Sequence, residues 1–152
     1  MKRKPRLFFD TSVLFAGIWS AEGGARLLLK LGEAEAVQLL VSSQVLQEIE
    51  DVIRRKAPQY LPTLAVLLDR ARFIVVPSAP GEVYGRCQSL VPHAGDAHIL
   101  SDAWHNEADY LVTLDRAHFL DIADLPDQLP FPVGTPGDCL AWYKKKLQAK
   151  QD

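Results

Sequence analysis

Long hydrophobic runs are what this 152-residue sequence most plainly lacks. No apolar stretch approaches the roughly 20 residues that cross a bilayer, so no membrane span is expected. The amino terminus, MKRKPR, is basic, but the apolar run behind it meets Asp10 within a few residues. A secretory leader needs an uninterrupted apolar region and a small-residue cleavage site, so none is expected here, and a cytoplasmic location is. Cysteine is scarce: Cys87 and Cys139 stand alone, in no metal-type spacing, and read as reduced thiols. The four histidines, His93, His98, His105 and His118, do not show the HxxxH spacing on an apolar-flanked helix that would suggest a zinc enzyme. Neither sign of charge dominates. With a formal net charge of −2, a nucleic-acid partner would have to be drawn by local patches. Internal repeats and low-complexity segments are absent too.

What is present is an ordinary globular composition, 48% hydrophobic and 24% charged, over a length that suits one domain, residues 1–152, with a sizeable core. Strand-like and helix-like segments alternate. A first strand at about 6–10 is followed by a helix from Glu22 to Ala36, with Leu27, Leu28, Leu31 and Ala34 at helical spacing. Val37–Val41 reads as a second strand, and Ser42 and Ser43 as caps for a helix carrying Val45, Leu46, Ile49, Val52 and Ile53. A helix over Leu64–Arg72, a strand at 73–76, helices at 82–90 and 95–108, and a strand at 110–114 continue the rhythm. Residues 121–130 read as a loop, 131–133 as a short fifth strand, and Asp138–Leu147 as a closing helix. This βα alternation predicts a parallel sheet of four or five strands with helices on both faces, a three-layer α/β/α fold.

Acids fall at telling places in that pattern. In the stretch LFFDTSVLFAG, Leu7, Phe8 and Phe9 suit a strand covered on both faces, and Asp10 ends it. A half-buried carboxylate is costly unless something offsets its desolvation. Asp115 ends the fourth strand, Glu48 lies early in the helix after the second, and Asp96 opens the helix before the fourth. Since sites in open parallel sheets form at the carboxyl ends of the strands, all four are expected on one side of the sheet. Each has a plainer reading. Asp96 fits an N-cap or helix-dipole partner, Asp115 a cap of the segment after it, and Glu48 a solvated helix residue with Glu50 and Asp51 as rivals. Asp10 is the hardest to explain away, and the combination carries the functional reading. His98, two residues from Asp96, does not share its face and is expected to pack locally.

Clustered carboxylates raise one another's pKa values unless a cation joins them. An oxygen-only set with no histidine or cysteine at comparable positions favours Mg²⁺ or Mn²⁺, ions that serve phosphate chemistry.

With these residues in view the sequence resembles a PIN domain, the metal-dependent nuclease fold of VapC-type toxins, over about residues 6–143. The marks are FFDTSVL with Asp10, SSQVLQEIEDVI with Glu48, GDAHILSDAW with Asp96, ADYLVTLDRAHF with Asp115, and VGTPGDCLAWY near the end. Ser12 stands where many relatives have Asn. The resemblance implies an acidic pocket in which Asp10, Glu48, Asp96 and Asp115 hold Mg²⁺ or Mn²⁺ and cleave RNA, with Thr11, Ser12 and Thr113 as supporting hydroxyls. It also implies a small antitoxin that occludes the groove, and a homodimer. Residues 58–94 and the basic tail 144–152 carry none of the marks.

Basic residues cluster at Lys2, Arg3, Lys4 and Arg6, at Arg54–Lys56 and at Lys144–Lys146. The last two read chiefly as helix ends complementing the dipole. Arg116, directly after Asp115, is the candidate for a substrate phosphate contact. Two alternatives to a ribonuclease stand: a non-catalytic binding module of the same fold, and a haloacid-dehalogenase-like phosphatase with Asp10 as nucleophile. The latter needs a second aspartate two residues on, where Ser12 stands.

Overall fold

The computed structural model describes residues 3–151. Its strands are β1 (Arg6–Phe9), β2 (Gln38–Ser42), β3 (Ile74–Val76), β4 (Tyr110–Val112) and β5 (Val133–Gly134). They form one all-parallel sheet in the order β3-β2-β1-β4-β5. β1 is central, with Phe8 in register with Leu40 on one side and Leu111 on the other. Leu7, Phe8 and Phe9 are fully buried, which is why this strand is a continuous apolar run instead of an alternating one.

The helices are α1 (Thr11–Trp19), α2 (Gly24–Glu33), α3 (Ser43–Lys56), α4 (Leu61–Arg70), α5 (Gly81–Gln88), α6 (Ala94–His105), α7 (Leu125–Gln128) and α8 (Pro136–Gln151). Right-handed crossovers place α1–α4 on one face of the sheet and α5 and α6 on the other, because the chain reverses direction across the sheet after β3. α8 returns to pack on α2. The result is the three-layer α/β/α arrangement.

Three of the helix-to-strand connections share one device. Glu35, Arg72 and Glu107 lie in the left-handed region, with φ of 61°, 59° and 57°. Each follows the capping residue of a helix, and the two bonds of a Schellman turn close around it. After α2, Glu35 N donates to Gly32 O and Ala36 N to Leu31 O; Arg72 with Phe73, and Glu107 with Ala108, repeat the pattern. A side chain at such a position costs roughly 1 kcal/mol or more relative to glycine, and here the paired carbonyls offset it.

The last helix starts on a reciprocal cap. Thr135 Oγ1 accepts from Asp138 N at 3.1 Å, and Asp138 Oδ2 accepts from Thr135 N at 3.1 Å, with Pro136 supplying the first helical residue. Gly134 is required beside it, since a Cβ there would collide with the Tyr110 hydroxyl and the Asp138 side chain.

Several boundaries differ from those read in the sequence. Residues 11–19 form a helix that no amphipathic period announces: VLFAGIW is apolar all round, and both Val13 and Leu14 and, a turn later, Gly17 and Ile18 are buried. The 121–130 stretch contains the single turn α7. The closing helix does not stop at Leu147 but runs through the basic tail to Gln151. Lys2 and Asp152 lie outside the described residues. Among those described, no helix is long and apolar enough to cross a membrane.

Candidate active site at the carboxyl edge of the sheet

The strand order reverses at β1, since the chain steps outward through β2 and β3 and then returns to lay β4 on the other side of β1. The crevice at the carboxyl ends of β1 and β4 is the switch point at which open α/β sheets hold ligands. Asp10 follows β1 directly, and Asp115 stands three residues beyond β4. α6 brings its first turn, with Asp96, to the same edge, and α3 brings Glu48. These four acids line a single cleft of about 460 Å³, together with Thr11, Ser12, His93 and His118.

Asp10 is only 4% exposed and is the most heavily bonded of the four. Its Oδ1 accepts from the Ser12 hydroxyl at 2.5 Å and from Val13 N at 3.2 Å, so the same carboxylate caps α1. Its Oδ2 accepts from the Thr113 hydroxyl. Those two hydroxyls are themselves tied to the strand that follows: Leu114 N donates to Ser12 Oγ and Asp115 N to Thr113 Oγ1, both at 3.0 Å. The first acid, the start of α1 and the end of β4 are thereby locked together. Burial pushes the Asp10 carboxyl above its ordinary range, the hydrogen bonds from Ser12, Thr113 and Val13 offset this in part, and the Asp115 charge adds to the rise.

Asp96 is placed differently. It is 7% exposed and sits in the third position of α6, not at the cap, which is His93 without a side-chain bond. The His118 Nδ1 lies 2.9 Å from Asp96 Oδ2. Besides that ring, no donor among the described residues reaches this buried oxygen. Burial raises the Asp96 pKa, and His118 counteracts the rise.

Asp115 caps the π turn Arg116–Leu120, its Oδ1 accepting from His118 N at 3.1 Å, while its Oδ2 is 3.4 Å from the His118 ring. Glu48, exposed on α3, accepts from the Thr11 hydroxyl at 2.7 Å. Its rivals do not line the cleft: Asp51 bonds Gln47 and lies 4.0 Å from Arg54 along the helix surface, and Glu50 is absent from the lining as well.

Arg116 is not brought into the cleft. Its guanidinium is 3.3 Å from Asp121 across the π turn and largely in solvent. His98 stacks on Tyr84, 4.1 Å between rings, as its position two residues from Asp96 suggested.

The expectation of no histidine beside the acids needs correcting. His118 touches Asp96 and Asp115, and His93 stacks on it at 4.4 Å. A search for helical HxxxH spacing misses both, because His118 reaches the site from a tight turn and His93 from a helix cap. The one available signal was the spacing of three between Asp115 and His118. As placed, no three His, Cys, Asp or Glu side chains among the described residues converge closely enough to hold an ion. The donor chemistry nonetheless suits a hard cation: burial raises the pKa values of two carboxylates, and His118 offsets the rise at Asp96 only in part.

The chain belongs to the PIN-domain family, whose model matches residues 6–117. No curated protein sequence matches it significantly. Among solved structures it is similar to VapBC2 from Rickettsia felis, crystallised bound to a DNA fragment from its promoter. The TM-score is 0.66 and the identity 21%, over 85% of this chain and 98% of that one. PAE2754 from Pyrobaculum aerophilum is similar as well, with a TM-score of 0.59 and 16% identity over 90% of this chain and 88% of that one. At these identities the likeness establishes the fold.

Proposed function

We propose that residues 1–152 act as one PIN-like domain that is a metal-dependent endoribonuclease, the toxin half of a toxin–antitoxin pair working in the cytoplasm. The observation that carries this reading is the cleft itself, in which four acids from four separate elements meet at the switch point with two of them buried. Family membership supports a nuclease, and the likeness to a VapBC2 assembly supports an antitoxin partner; the homodimer rests on the resemblance alone.

In this reading Asp10, Glu48, Asp96 and Asp115 hold Mg²⁺ or Mn²⁺. When bound, such an ion polarises a phosphodiester and eases deprotonation of water. The rest falls to the chain. Ser12 and Thr113 hold Asp10 in one rotamer, Thr11 steadies Glu48, and the cap at Asp115 fixes the π turn. Arg116 contacts a substrate phosphate, giving up its exposed pair with Asp121, which is weak in water.

One observation favours the alternative of a non-catalytic binding module: His118 already occupies the space between Asp96 and Asp115. Incubating total RNA with the protein and mapping the products decides between them. A nuclease gives cleavage with Mg²⁺ or Mn²⁺ that EDTA stops and that Asp10→Asn lacks. A binding module gives none under any condition.

A further inference from the structure

The opposite edge of the sheet carries a second cavity, of about 410 Å³, where the strands begin. Its walls come from the segment before β1 and from α8, with Arg3, Lys4, Lys146 and Lys150 set around Trp142 and Tyr143. The lining cations number four, and Asp109 is the single carboxylate among them. That carboxylate is already engaged, its Oδ1 by Arg3 at 3.0 Å and its Oδ2 by the backbone N of Arg6 at 2.8 Å. Arg3 and Asp109 offset each other, so at this edge of a chain of net charge −2 the free positive charge comes from Lys4, Lys146 and Lys150.

Helix-dipole compensation accounts for Lys150, which stands in the last turn of α8, but not for Lys146, which lies more than a turn from the end at Gln151. The dipole's influence fades within the final turn. Arg54, Arg55 and Lys56, by contrast, do sit in the last turn of α3 and are accounted for in that way. Trp142, Lys146 and Lys150 recur every four residues and form one stripe facing the cavity. Nor is the stripe simply solvated, for Lys146 Nζ lies 4.9 Å from the centre of the Trp142 ring. Trp142 leans in turn on buried Tyr110, 5.1 Å between rings, which fixes its plane.

Cations tracking a groove beside fixed aromatic planes are the chemistry that holds single-stranded nucleic acid: phosphates meet the lysines, and bases stack on the rings. The cavity volume lies within the range that accepts a nucleotide-sized group. An acidic peptide would use the charges but leave the aromatic plane without a role. We propose that this amino edge is a binding site for single-stranded nucleic acid, separated from the acidic cleft by the length of β1, about 13 Å of strand. The site does not depend on the carboxyl edge being a nuclease.

The test measures binding of a fluorescently labelled 12-nucleotide RNA, and of the same DNA sequence, by anisotropy in EDTA across a salt series. Wild type is compared with the double variant Lys146→Ala, Lys150→Ala, both exposed positions, with melting curves to confirm folding. The double variant should bind both oligonucleotides roughly tenfold more weakly at low salt. Its salt slope should shrink by about 1.4, the value for two contacts to a single strand. Lys146→Glu should weaken binding further. Equal binding by wild type and double variant, or no binding by wild type at low salt, would overturn the proposal. Competition by polyglutamate as effective as by RNA of equal charge would assign the site to acidic peptide instead. AMP binding as tightly as the oligonucleotide would make it a mononucleotide pocket and overturn the strand reading. Because EDTA silences any metal-dependent cleavage, failure here leaves the proposed nuclease untouched, and the converse holds.

Discussion

The two edges of the sheet share its strands, draw on different helices and carry opposite charge. At the carboxyl edge, Asp10, Glu48, Asp96 and Asp115 meet where β1 and β4 end, and two of them are buried. At the amino edge, Arg3, Lys4, Lys146 and Lys150 surround a tryptophan and stay in solvent. A near-neutral total conceals this polarity. The lesson lies in how each edge is supported. The acidic edge is held by short side-chain bonds from Ser12, Thr113 and Thr11, which fix positions to a fraction of an ångström. The basic edge rests on a helix face and one packed ring, and its lysines keep their freedom. Chemistry needs the first kind of support, and tolerant binding of a strand needs only the second.

The largest expected effect breaks one edge and leaves the other. Asp10→Asn or Asp96→Asn should lower Mg²⁺- or Mn²⁺-dependent RNA cleavage by orders of magnitude, while RNA binding in EDTA stays as in wild type. Gel assays and anisotropy on the same preparations check this, and parallel loss of both would show that the two edges are not separate. Next in size is the support of the acidic edge. Thr113→Val removes the fully buried hydroxyl that donates to buried Asp10 and accepts from Asp115 N, the second bond being partly buried. It should cost about 1–3 kcal/mol in denaturant unfolding, the penalty for stranded buried polar groups. A change within error would mean that water replaces the hydroxyl.

The pH dependence of stability sharpens the contrast further. Burial raises the pKa of Asp10 and Asp96, so over part of the acid range the native state holds protons that the unfolded chain has released. Metal-free stability should therefore fall as pH rises from about 3.9, the unfolded value, through the raised native values, and level off above them. Asp96→Asn should remove part of that loss. It should be more stable than wild type at pH 7 in EDTA, with the advantage vanishing near pH 4. Asp10→Asn should gain less, because Asn cannot keep both the Ser12 and the Thr113 bonds. Urea melts at several pH values check the pair. The smallest effect concerns Arg116→Ala, which should reduce the salt slope of RNA binding by about one contact's worth. An unchanged slope would leave Arg116 to its pair with Asp121.

Much of this was legible in the sequence because the two strands at the site are apolar runs stopped by acids. LFF-D and YLVTL-D mark both the strand ends and the residues placed there. The all-parallel sheet followed from the βα rhythm. α1 was not legible, since a helix that is apolar nearly all round has no polar face to set its period. The end of α8 was missed for the opposite reason: its final turns are polar all round and resemble a tail. His118 escaped notice because a π turn, not a helix or strand, aims it at Asp96. Its reach depends on the backbone path after Asp115, which residue spacing along the chain does not reveal.

The central claim is that the buried carboxylates at the carboxyl edge are arranged for a cation, Asp96 among them, which His118 approaches. Thermal melts of wild type and Asp96→Asn, each in EDTA and in excess Mn²⁺, test it most directly, because a ligand that binds the native state raises its stability only where the site survives. Mn²⁺ should raise the melting temperature of wild type clearly and that of Asp96→Asn little or not at all. Equal shifts in the two proteins, or none in wild type, would contradict the account.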